Sequence, residues 1–237
     1  MKATNTILSN AEVNPHLVID DSLILFLDAE NPKSYPGSGN TWYDLTENNN
    51  DATIVGATFN TNEFQFDGSN DKLTFGSNFS IDVHTGFTFW VVWNLPSQTS
   101  GAWNYFIYHN PSGDHKYEFG QYGTNANTFH YKDNISYNGT AATSTMASTG
   151  YSSYAFGTSA NGRTSTSVNG ANATIKDPGS NSYWATTPTT PMVFDELFTG
   201  AGSYLGANVK MLLLYNRALS NSEIAQNNLV AFRRKAV

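Results

Sequence analysis

Several common features are scarce or missing in this sequence, and each absence excludes a class of structure, site or partner. It has no cysteine, which excludes a disulfide framework and any cysteine-ligated metal site. Charged residues make up 13% of the chain, well below the usual share of about 25%, and Asn, Ser, Thr and Gly supply the polar surface instead. The net charge of −7 argues against a nucleic-acid partner, because basic residues cluster only at residues 233–235.

Long apolar stretches are missing as well. No run approaches the roughly 20 residues that a transmembrane helix needs, so we expect no membrane insertion. The N-terminal residues lack the apolar segment and cleavage site of a secretory signal peptide, so we expect synthesis in the cytoplasm without secretory export. The surface composition is nevertheless typical of an extracellular recognition domain. A virion component that is released by lysis would satisfy both observations.

The domain organisation follows from length and patterning. A chain of 237 residues can form one large β-domain, and we see no internal repeat or second domain. Residues 1–20 are polar and weakly patterned, so we interpret them as an N-terminal arm before a single domain at residues 21–237. The arm is either a frayed terminus or a segment that orders on a neighbouring subunit, and the sequence favours neither.

The most apolar stretch lies near the end of the chain, at Val209–Tyr215, and predicts a buried strand. A helix start follows it. Ser220 and Glu223 have the spacing of a capping box, and Leu219 and Ile224 flank them as a hydrophobic staple. The sequence therefore predicts one short C-terminal helix. We expect this helix to close an assembly of strands that is already built.

The buried face of that helix is predicted from its apolar spacing. Ala225, Leu229 and Phe232 recur at i, i+4 and i+7, which is typical of a face that packs on a core. Because the rest of the chain is strand-like, we expect this face to lie over the end of a β-sandwich.

Short strands separated by Asn/Gly turns fill the remainder of the chain. The run from Phe87 to Leu95 is apolar at both odd and even positions, which is typical of a central strand covered on both faces. The spacing of strands and turns predicts an all-β fold, namely a two-sheet antiparallel β-sandwich with a C-terminal helix.

Four landmarks make the chain similar to a known family. The closing segment Tyr215–Ser220, followed by Glu223 and Ile224, resembles the end of laminin-G-like, concanavalin A-like jelly-roll domains. Leu23–Asp28, Trp42–Leu45 and Phe66–Leu73 resemble the earlier landmarks of that family in the right order. The resemblance spans nearly the whole chain and implies a jelly roll, but the scaffold carries lectins, glycosidases and adhesion modules alike.

The residues do not favour an enzyme. Glucanases of this fold carry paired carboxylates in an E-x-D-x-(x)-E pattern on one strand, and this sequence has none. Asp195 and Glu196 are neighbours, so a strand would direct them to opposite faces. Nor is there a G-x-S-x-G nucleophile motif. We therefore expect a protein without catalytic residues.

Aromatic residues in loops are the candidates for carbohydrate binding. Trp103 and Trp184 lie in polar loop sequence where a core residue is not expected, and sandwich lectins stack sugars on exposed rings. His109 borders a turn-rich loop and could contribute to the same site. The alternatives are that both tryptophans are packed and that His109 is a solvated loop histidine.

One turn could hold a metal. Asp67 and Asp71 enclose a short acidic turn with the oxygen ligands that calcium prefers, and the resemblance implies calcium at a loop rim. The alternative is an Asx turn that joins two strands, with no cofactor at all.

The function predicted from these observations is structural. The opening segment Asp28–Gly37 resembles that of domains in bacteriophage virion proteins. We expect a non-enzymatic capsid decoration, head-fibre or tail-associated subunit, present in many copies beside other virion structural proteins. Its domain would bind cell-surface carbohydrate for host attachment. A glycosidase and a cellular adhesion lectin are the alternatives.

Overall fold

The computed structural model describes residues 16–76, 80–81, 85–95, 103–109, 117–122, 129–133, 151–159, 164–169, 174–176, 192–193, 196–200 and 202–235. The described chain consists of antiparallel strands and a C-terminal helix, which confirms the predicted all-β sandwich. The strands are β1 (Leu23–Asp28), β2 (Thr41–Trp42), β3 (Ala52–Val55), β4 (Thr58–Asn60), β5 (Glu63–Phe66), β6 (Lys72–Phe75), β7 (Ser80–Ile81), β8 (Gly86–Asn94), β9 (Trp103–His109), β10 (Tyr117–Tyr122), β11 (Phe129–Asp133), β12 (Ser152–Ser159), β13 (Thr164–Val168), β14 (Thr174–Lys176), β15 (Met192–Val193), β16 (Glu196–Leu197), β17 (Thr199–Gly200), β18 (Ser203–Tyr204) and β19 (Ala207–Tyr215). The helix is α1 (Asn221–Lys235).

One large sheet of eight strands dominates the fold, in the order β14-β13-β12-β8-β19-β5-β4, with β1 also paired to β19. A four-stranded sheet (β16-β6-β3-β2), a three-stranded sheet (β11-β10-β9) and two strand pairs complete the described strands. The first and last long strands are neighbours, since β1 pairs antiparallel with β19 from Leu23 opposite Tyr215 to Asp28 opposite Met211. In the described part of the chain, no helix combines the length and apolar character that crossing a membrane requires.

Strand β8 is central, as its double apolar pattern predicts. It lies between β12 and β19, and its alternate side chains enter two different cores. Phe87, Phe89, Val91 and Trp93 belong to the inner core of the sandwich. Trp90 and Val92 belong to a second cluster on the outer face of the large sheet.

Aromatic contacts hold the inner core together. The ring centroids of Trp42 and Phe64 are 4.5 Å apart, and Phe66 stacks on Phe198 at 4.1 Å. Phe106 joins the same group through an edge contact with Phe198 at 5.0 Å. Such pairs contribute beyond the area that they bury. Trp42 is therefore a core residue, and this packing accounts for the tryptophan of the Trp42–Leu45 landmark.

The loop after that landmark protects an open strand edge. Asp44 accepts hydrogen bonds from the backbone N–H groups of Phe26 at 2.8 Å and Asn50 at 3.0 Å. Asn50 donates through Nδ2 to the carbonyl oxygen of Ile24 at 2.7 Å. These side chains satisfy backbone groups on the edge of β1 that faces away from β19. The loop therefore removes an edge on which another chain could pair.

Helix α1 packs on the outer face of the large sheet and not over the end of the sandwich. The second apolar cluster contains Leu219 and Ile224 together with Trp90 and Leu213, which come from the sheet. Leu219 and Ile224 are both buried, so the predicted staple is present. The capping box is confirmed, because Ser220 N–H donates to Glu223 Oε2 at 2.8 Å and Glu223 N–H donates to Ser220 Oγ at 3.3 Å.

The predicted buried face of α1 is wrong at Leu229. Leu229 is 53% exposed and Ala225 is half-buried, while the side chain of Phe232 lies outside the described residues. The helix instead buries Ile224, Asn227, Asn228 and Ala231. Asn227 and Asn228 are buried because their side chains form hydrogen bonds inside the protein. A prediction from the spacing of apolar residues does not expect polar residues to be buried.

Asn228 donates to the carbonyl oxygen of Asn169 and accepts from the hydroxyl of Ser153, whereas the partners of Asn227 belong to the N-terminal segment and to the last strand. Asn227 accepts from Val18 N–H at 2.8 Å and donates to the hydroxyl of Tyr215 at 3.0 Å. The Tyr215 hydroxyl donates to the carbonyl oxygen of Val18 at 2.9 Å, and burial raises its pKa. Leu17 is also buried. Residues 16–20 of the predicted arm thus contact the domain itself, and residues 1–15 lie outside the described residues.

Candidate functional site

The structure places two of the predicted ligand-binding residues on one strand. Trp103 is the first residue of β9 and His109 is the last, so roughly 20 Å of strand separates them. Trp103 pairs with Tyr122 and His109 with Tyr117 in β10. Their side chains, and the whole of Trp184, lie outside the described residues. A sugar site built from these three residues stays a prediction.

The predicted metal turn connects β5 to β6. Asp67 Oδ1 accepts from the backbone N–H groups of Ser69 at 2.7 Å and Asn70 at 3.3 Å. Asp71 Oδ2 accepts from Asp67 N–H at 2.8 Å. This is the geometry of an Asx turn. Among the described residues no group of three acidic or histidine side chains could hold a metal ion, so calcium would need ligands from elsewhere.

Burial distinguishes Asp71 from Asp67. Asp71 is only 6% exposed, and this burial raises the pKa of its carboxyl group, against the effect of the hydrogen bond from Asp67 N–H. Gly56 lies against it with a φ of +82°, and a Cβ atom at Gly56 would be 2.1 Å from Asp71 Oδ1. The Asp71 carboxyl group therefore occupies the space that a side chain at residue 56 would need. This arrangement fixes the turn between two strands.

A different group of polar side chains lies on the outer face of the large sheet, beside the area that α1 covers. We call it the outer-face polar patch. Its members are Glu30, Asn62, Glu63, Gln65, Tyr151, Asn208 and Lys210. The inner core takes Phe64 and Phe66 of β5 and Ala207 and Val209 of β19. Strand alternation directs the residues between them to the opposite face.

Glu63 is the centre of one half of the patch. It is 9% exposed, and its Oε1 accepts from Asn208 Nδ2 at 3.4 Å and from Gln65 Nε2 at 3.3 Å. Asn208 and Gln65 are register partners across β19 and β5, which brings their side chains together. The backbone pairing of two strands therefore fixes this carboxylate and its two amides.

Lys210 is the centre of the other half. The register of β19 against β8 shifts between Val209 and Met211, and these two residues point to opposite faces. The bulge adds one residue and allows Lys210 to reach the outer face. Lys210 Nζ lies 3.3 Å from Glu30 Oε1 and 4.7 Å from the ring centroid of Tyr151. Lys210 is only 7% exposed, so its charge needs these neighbours.

Several oxygen atoms of the patch accept no hydrogen bond from the residues that the structure describes. Within the described part of the chain, no group donates a hydrogen bond to Glu63 Oε2, Asn208 Oδ1 or Gln65 Oε1. None of them is among the described buried polar atoms that lack a partner, so solvent reaches all three. The patch therefore presents these acceptors together with the second N–H group of each amide, on two strands that are paired through their backbones.

Our sequence reasoning did not predict this patch. The signal was present in Glu63-Phe64-Gln65-Phe66 and in Ala207-Asn208-Val209-Lys210, where polar and apolar residues alternate. We interpreted Val209–Tyr215 as a buried apolar run, which begins after Asn208 and includes Lys210, and did not treat these two polar residues as part of a face.

Comparisons with known proteins identify the fold alone. No family model and no curated protein matches the chain. Among solved structures, a mutant of Trypanosoma rangeli sialidase that displays trans-sialidase activity is 16% identical with a TM-score of 0.62, over 88% of this chain and 33% of that chain. The binding domain of botulinum neurotoxin DC in complex with rat synaptotagmin II is 12% identical with a TM-score of 0.62, over 89% of this chain and 52% of that chain.

The chain thus spans a third to a half of the length of these structural neighbours. At such low identity their activities and partners do not transfer to it. Their likeness agrees with the pairing observed in the sheets and with the jelly roll that the resemblance implies. The chain is an all-β antiparallel sandwich, and these neighbours share its fold.

Proposed function

We propose that the chain is a non-enzymatic structural protein of a virion whose sandwich binds cell-surface carbohydrate weakly, through many copies. It would be a capsid decoration, head-fibre or tail-associated subunit that is made in the host cytoplasm and assembles with other virion proteins. The outer-face polar patch supports the carbohydrate part of this proposal. The similarity of Asp28–Gly37 to virion proteins supports the viral part.

The chemistry of the patch carries the proposal. Sugars are recognised through fixed carboxylate and amide groups that bond to hydroxyl groups, and the patch has these groups in Glu63, Gln65 and Asn208. Hydrogen bonds from both amides to Glu63 Oε1 orient these side chains before a ligand binds, which reduces the conformational entropy lost on binding. We expect a surface patch of this kind to bind with a low affinity per copy.

Low affinity per copy is compatible with attachment because a particle carries many copies. Linking binding sites raises the overall avidity by roughly 10²–10⁴ without any new contact. This requires that the domain be fixed to the particle. Residues 1–15 are the candidate anchor, since residues 16–18 are already bonded to α1 and β19.

A glycosidase is the alternative, and the sialidases among the structural neighbours are the observation that favours it. This chain covers only 33% of those sialidase chains. The carboxylates described here also have structural partners: Asp44 accepts four hydrogen bonds, Glu196 pairs with Lys72, and Glu30 pairs with Lys210. We therefore favour binding without turnover.

Binding can be tested by comparing single and clustered copies of the protein. We would display the domain on streptavidin tetramers and measure retention on arrays of neutral and charged oligosaccharides. The double variant Gln65→Ala, Asn208→Ala should lose retention. Asn216→Ala is the matched control, because Asn216 is exposed beyond the opposite end of β19. Retention that survives the double variant would exclude the patch, and a lack of retention on every saccharide would refute the proposal.

The viral part needs a separate test. Deleting residues 1–15 preserves the bonds of His16 and Val18 to the helix, whereas a longer deletion would remove them. We expect the shortened protein to fold, as judged by its thermal unfolding, but to be missing from purified particles. Normal incorporation would contradict an anchoring role for these residues. Absence of the full chain from particles would contradict the virion assignment.

A further inference from the structure

We infer that the groove between α1 and the end of β19 is a binding site for an extended peptide, and that residues 16–19 of a second copy of this chain fill it in an assembly. In this structure residues 16–19 of the same chain, which we call the strap, lie in the groove. The inference deepens the proposed function, on which its assembly part rests, because it names the partner of one copy.

The groove binds the strap through the backbone of the strap. Gln226 Nε2 donates to the carbonyl oxygen of His16 at 2.8 Å. Asn227 Oδ1 accepts from Val18 N–H at 2.8 Å, and the Tyr215 hydroxyl donates to the carbonyl oxygen of Val18 at 2.9 Å. Three side chains of the groove therefore bond to three backbone groups. Main-chain bonds of this kind give affinity for extended peptides.

One apolar side chain of the strap adds specificity. Leu17 is buried in the second apolar cluster together with Leu219 and Ile224, whereas Ile19 is 68% exposed. A ligand of the groove therefore needs an apolar residue at the position of Leu17. The next residue must carry a backbone N–H group, which excludes proline there.

The groove loses favourable contacts when it is empty. Asn227 and Tyr215 are both 0% exposed, and Asn227 Nδ2 also donates to the Tyr215 hydroxyl at 3.0 Å. Without the strap, Asn227 Oδ1 and the Tyr215 hydroxyl would each lose a partner, and the apolar surface under Leu17 would be uncovered. Leaving buried polar groups without partners costs free energy. A second copy offers the same donor, acceptors and apolar side chain.

The strap is separate from the sheets. In the part of the chain that the structure describes, residues 16–19 belong to no strand and form no backbone–backbone hydrogen bond. A turn precedes β1, in which Leu23 N–H donates to the carbonyl oxygen of Asp20 at 3.0 Å. The strap can therefore leave its groove without breaking the pairing of any strand. Exchange of an identical segment between copies is a low-cost route to assembly.

Concentration decides whether the strap binds its own groove or that of a neighbour. A segment joined by a short linker has an effective concentration of about 1 mM at its own site. A strap that is docked about nine-tenths of the time in its own groove would then bind a separate groove with a Kd of about 0.1 mM. We therefore expect one copy to keep its own strap in dilute solution. Exchange should occur where copies are packed together.

Two complementary variants of the full chain test the exchange. Leu17→Asp should prevent the strap from docking but preserve the groove. Tyr215→Phe combined with Gln226→Ala should weaken the groove but preserve the strap. By sedimentation equilibrium near the expected Kd, each variant alone should be monomeric, and their mixture should form a one-to-one complex. Thermal unfolding would verify that both fold, and Leu17→Ala would replace Leu17→Asp if the latter did not.

The matched control adds Leu17→Asp to the groove variant, so that neither protein in the mixture has an intact strap. This mixture should stay monomeric. A complex in the control would show association through another surface and would overturn the exchange.

A peptide tests the groove by itself. A peptide of residues 14–21 should shift the NMR signal of the Asn227 side-chain amide in Leu17→Asp, and the same peptide methylated at the Val18 nitrogen should not. No shift with either peptide would overturn the groove as a binding site. A shift without a complex between the two variants would overturn the second copy as its occupant. The proposed function is measured on saccharides and particles, so it can fail or hold independently.

Discussion

Arg217 binds Glu223 through two parallel contacts, with Nη1 3.0 Å from Oε2 and Nη2 2.7 Å from Oε1. The same guanidinium group donates to Asp20 Oδ2 at 2.6 Å and to Ser22 Oγ at 2.9 Å. One side chain therefore joins the first turn of α1 to the segment that leads into β1. This explains why an arginine follows the last strand within the closing landmark.

The Arg217–Glu223 pair predicts a dependence of stability on pH. The hydrogen bond from Arg217 lowers the pKa of Glu223 to about 2, against the opposing effect of burial, and Ser220 adds to the lowering. A lowered pKa contributes stability above the ordinary value of about 4.3, and this contribution is lost as the pH falls towards 2. Burial alone would raise the pKa of Asp20, but hydrogen bonds from Ser22 and Arg217 lower it, so Asp20 acts in the same direction.

The measurement is the free energy of unfolding of the wild type and of Glu223→Gln between pH 7 and pH 2. The difference between the two proteins should be constant at pH 5 to 7 and should shrink below about pH 4.3. Glu47→Gln provides a control at an exposed carboxylate outside this network. A difference that does not change with pH would show that Glu223 does not ionise as the geometry requires.

The start of α1 predicts a ranking of three substitutions. Ser220→Ala should cost about 1 kcal/mol, because Ser220 Oγ caps the N–H group of Glu223. Leu219→Ala should cost more, about 2 kcal/mol or above, because Leu219 is buried against the sheet. Leu229→Ala is the matched control, since Leu229 is 53% exposed.

Urea unfolding of the three variants would measure these differences. A large loss for Leu229→Ala with a small loss for Leu219→Ala would mean that the helix packs on the face that its apolar spacing predicts, and not on the face observed.

We predict a second ranking, of the stability lost when glycines are replaced by alanine. Gly56→Ala combines a positive φ of +82° with a Cβ atom 2.1 Å from Asp71 Oδ1. Gly37 has a φ of +91° and open space around it, so Gly37→Ala isolates the cost of the backbone conformation, about 1 kcal/mol. Gly56→Ala should cost clearly more because it must also displace the carboxyl group of Asp71.

Thermal unfolding of both variants measures the two costs. Gly76→Ala adds a control in open space without a positive φ, and it should be nearly neutral. Equal losses for Gly56→Ala and Gly37→Ala would show that the Asp71 carboxyl group is not held against residue 56.

The absence of catalysis is also a prediction. We expect the purified protein to release no product from β-glucans, bacterial polysaccharides or sialylated oligosaccharides, because Asp44, Glu196 and Glu30 form structural bonds and the sequence lacks the paired-carboxylate pattern of the glucanases of this fold. Product release would be followed by chromatography over hours. Turnover that disappears in Glu63→Gln or Glu30→Gln, but persists in Glu47→Gln, would move the assignment to a glycosidase.

Much of the fold could be predicted from local patterns. The double apolar pattern of β8 predicted a central strand, and Ser220 with Glu223 predicted a helix start, because both signals depend on neighbouring residues. The buried face of α1 was predicted incorrectly. Asn227 and Asn228 are buried through bonds to Val18, Tyr215, Ser153 and Asn169, which are distant in sequence.

The sequence by itself determined an all-β sandwich, its central strand and the start of the helix, since these follow from alternation, apolar runs and capping spacing. Only the tertiary structure decided which polar residues meet. Gln65 faces Asn208 because β5 and β19 pair in one register, and Lys210 reaches the outer face because β19 contains a bulge beside β8. Register and bulges depend on partners far along the chain, and shifting the register by one residue reverses every side chain.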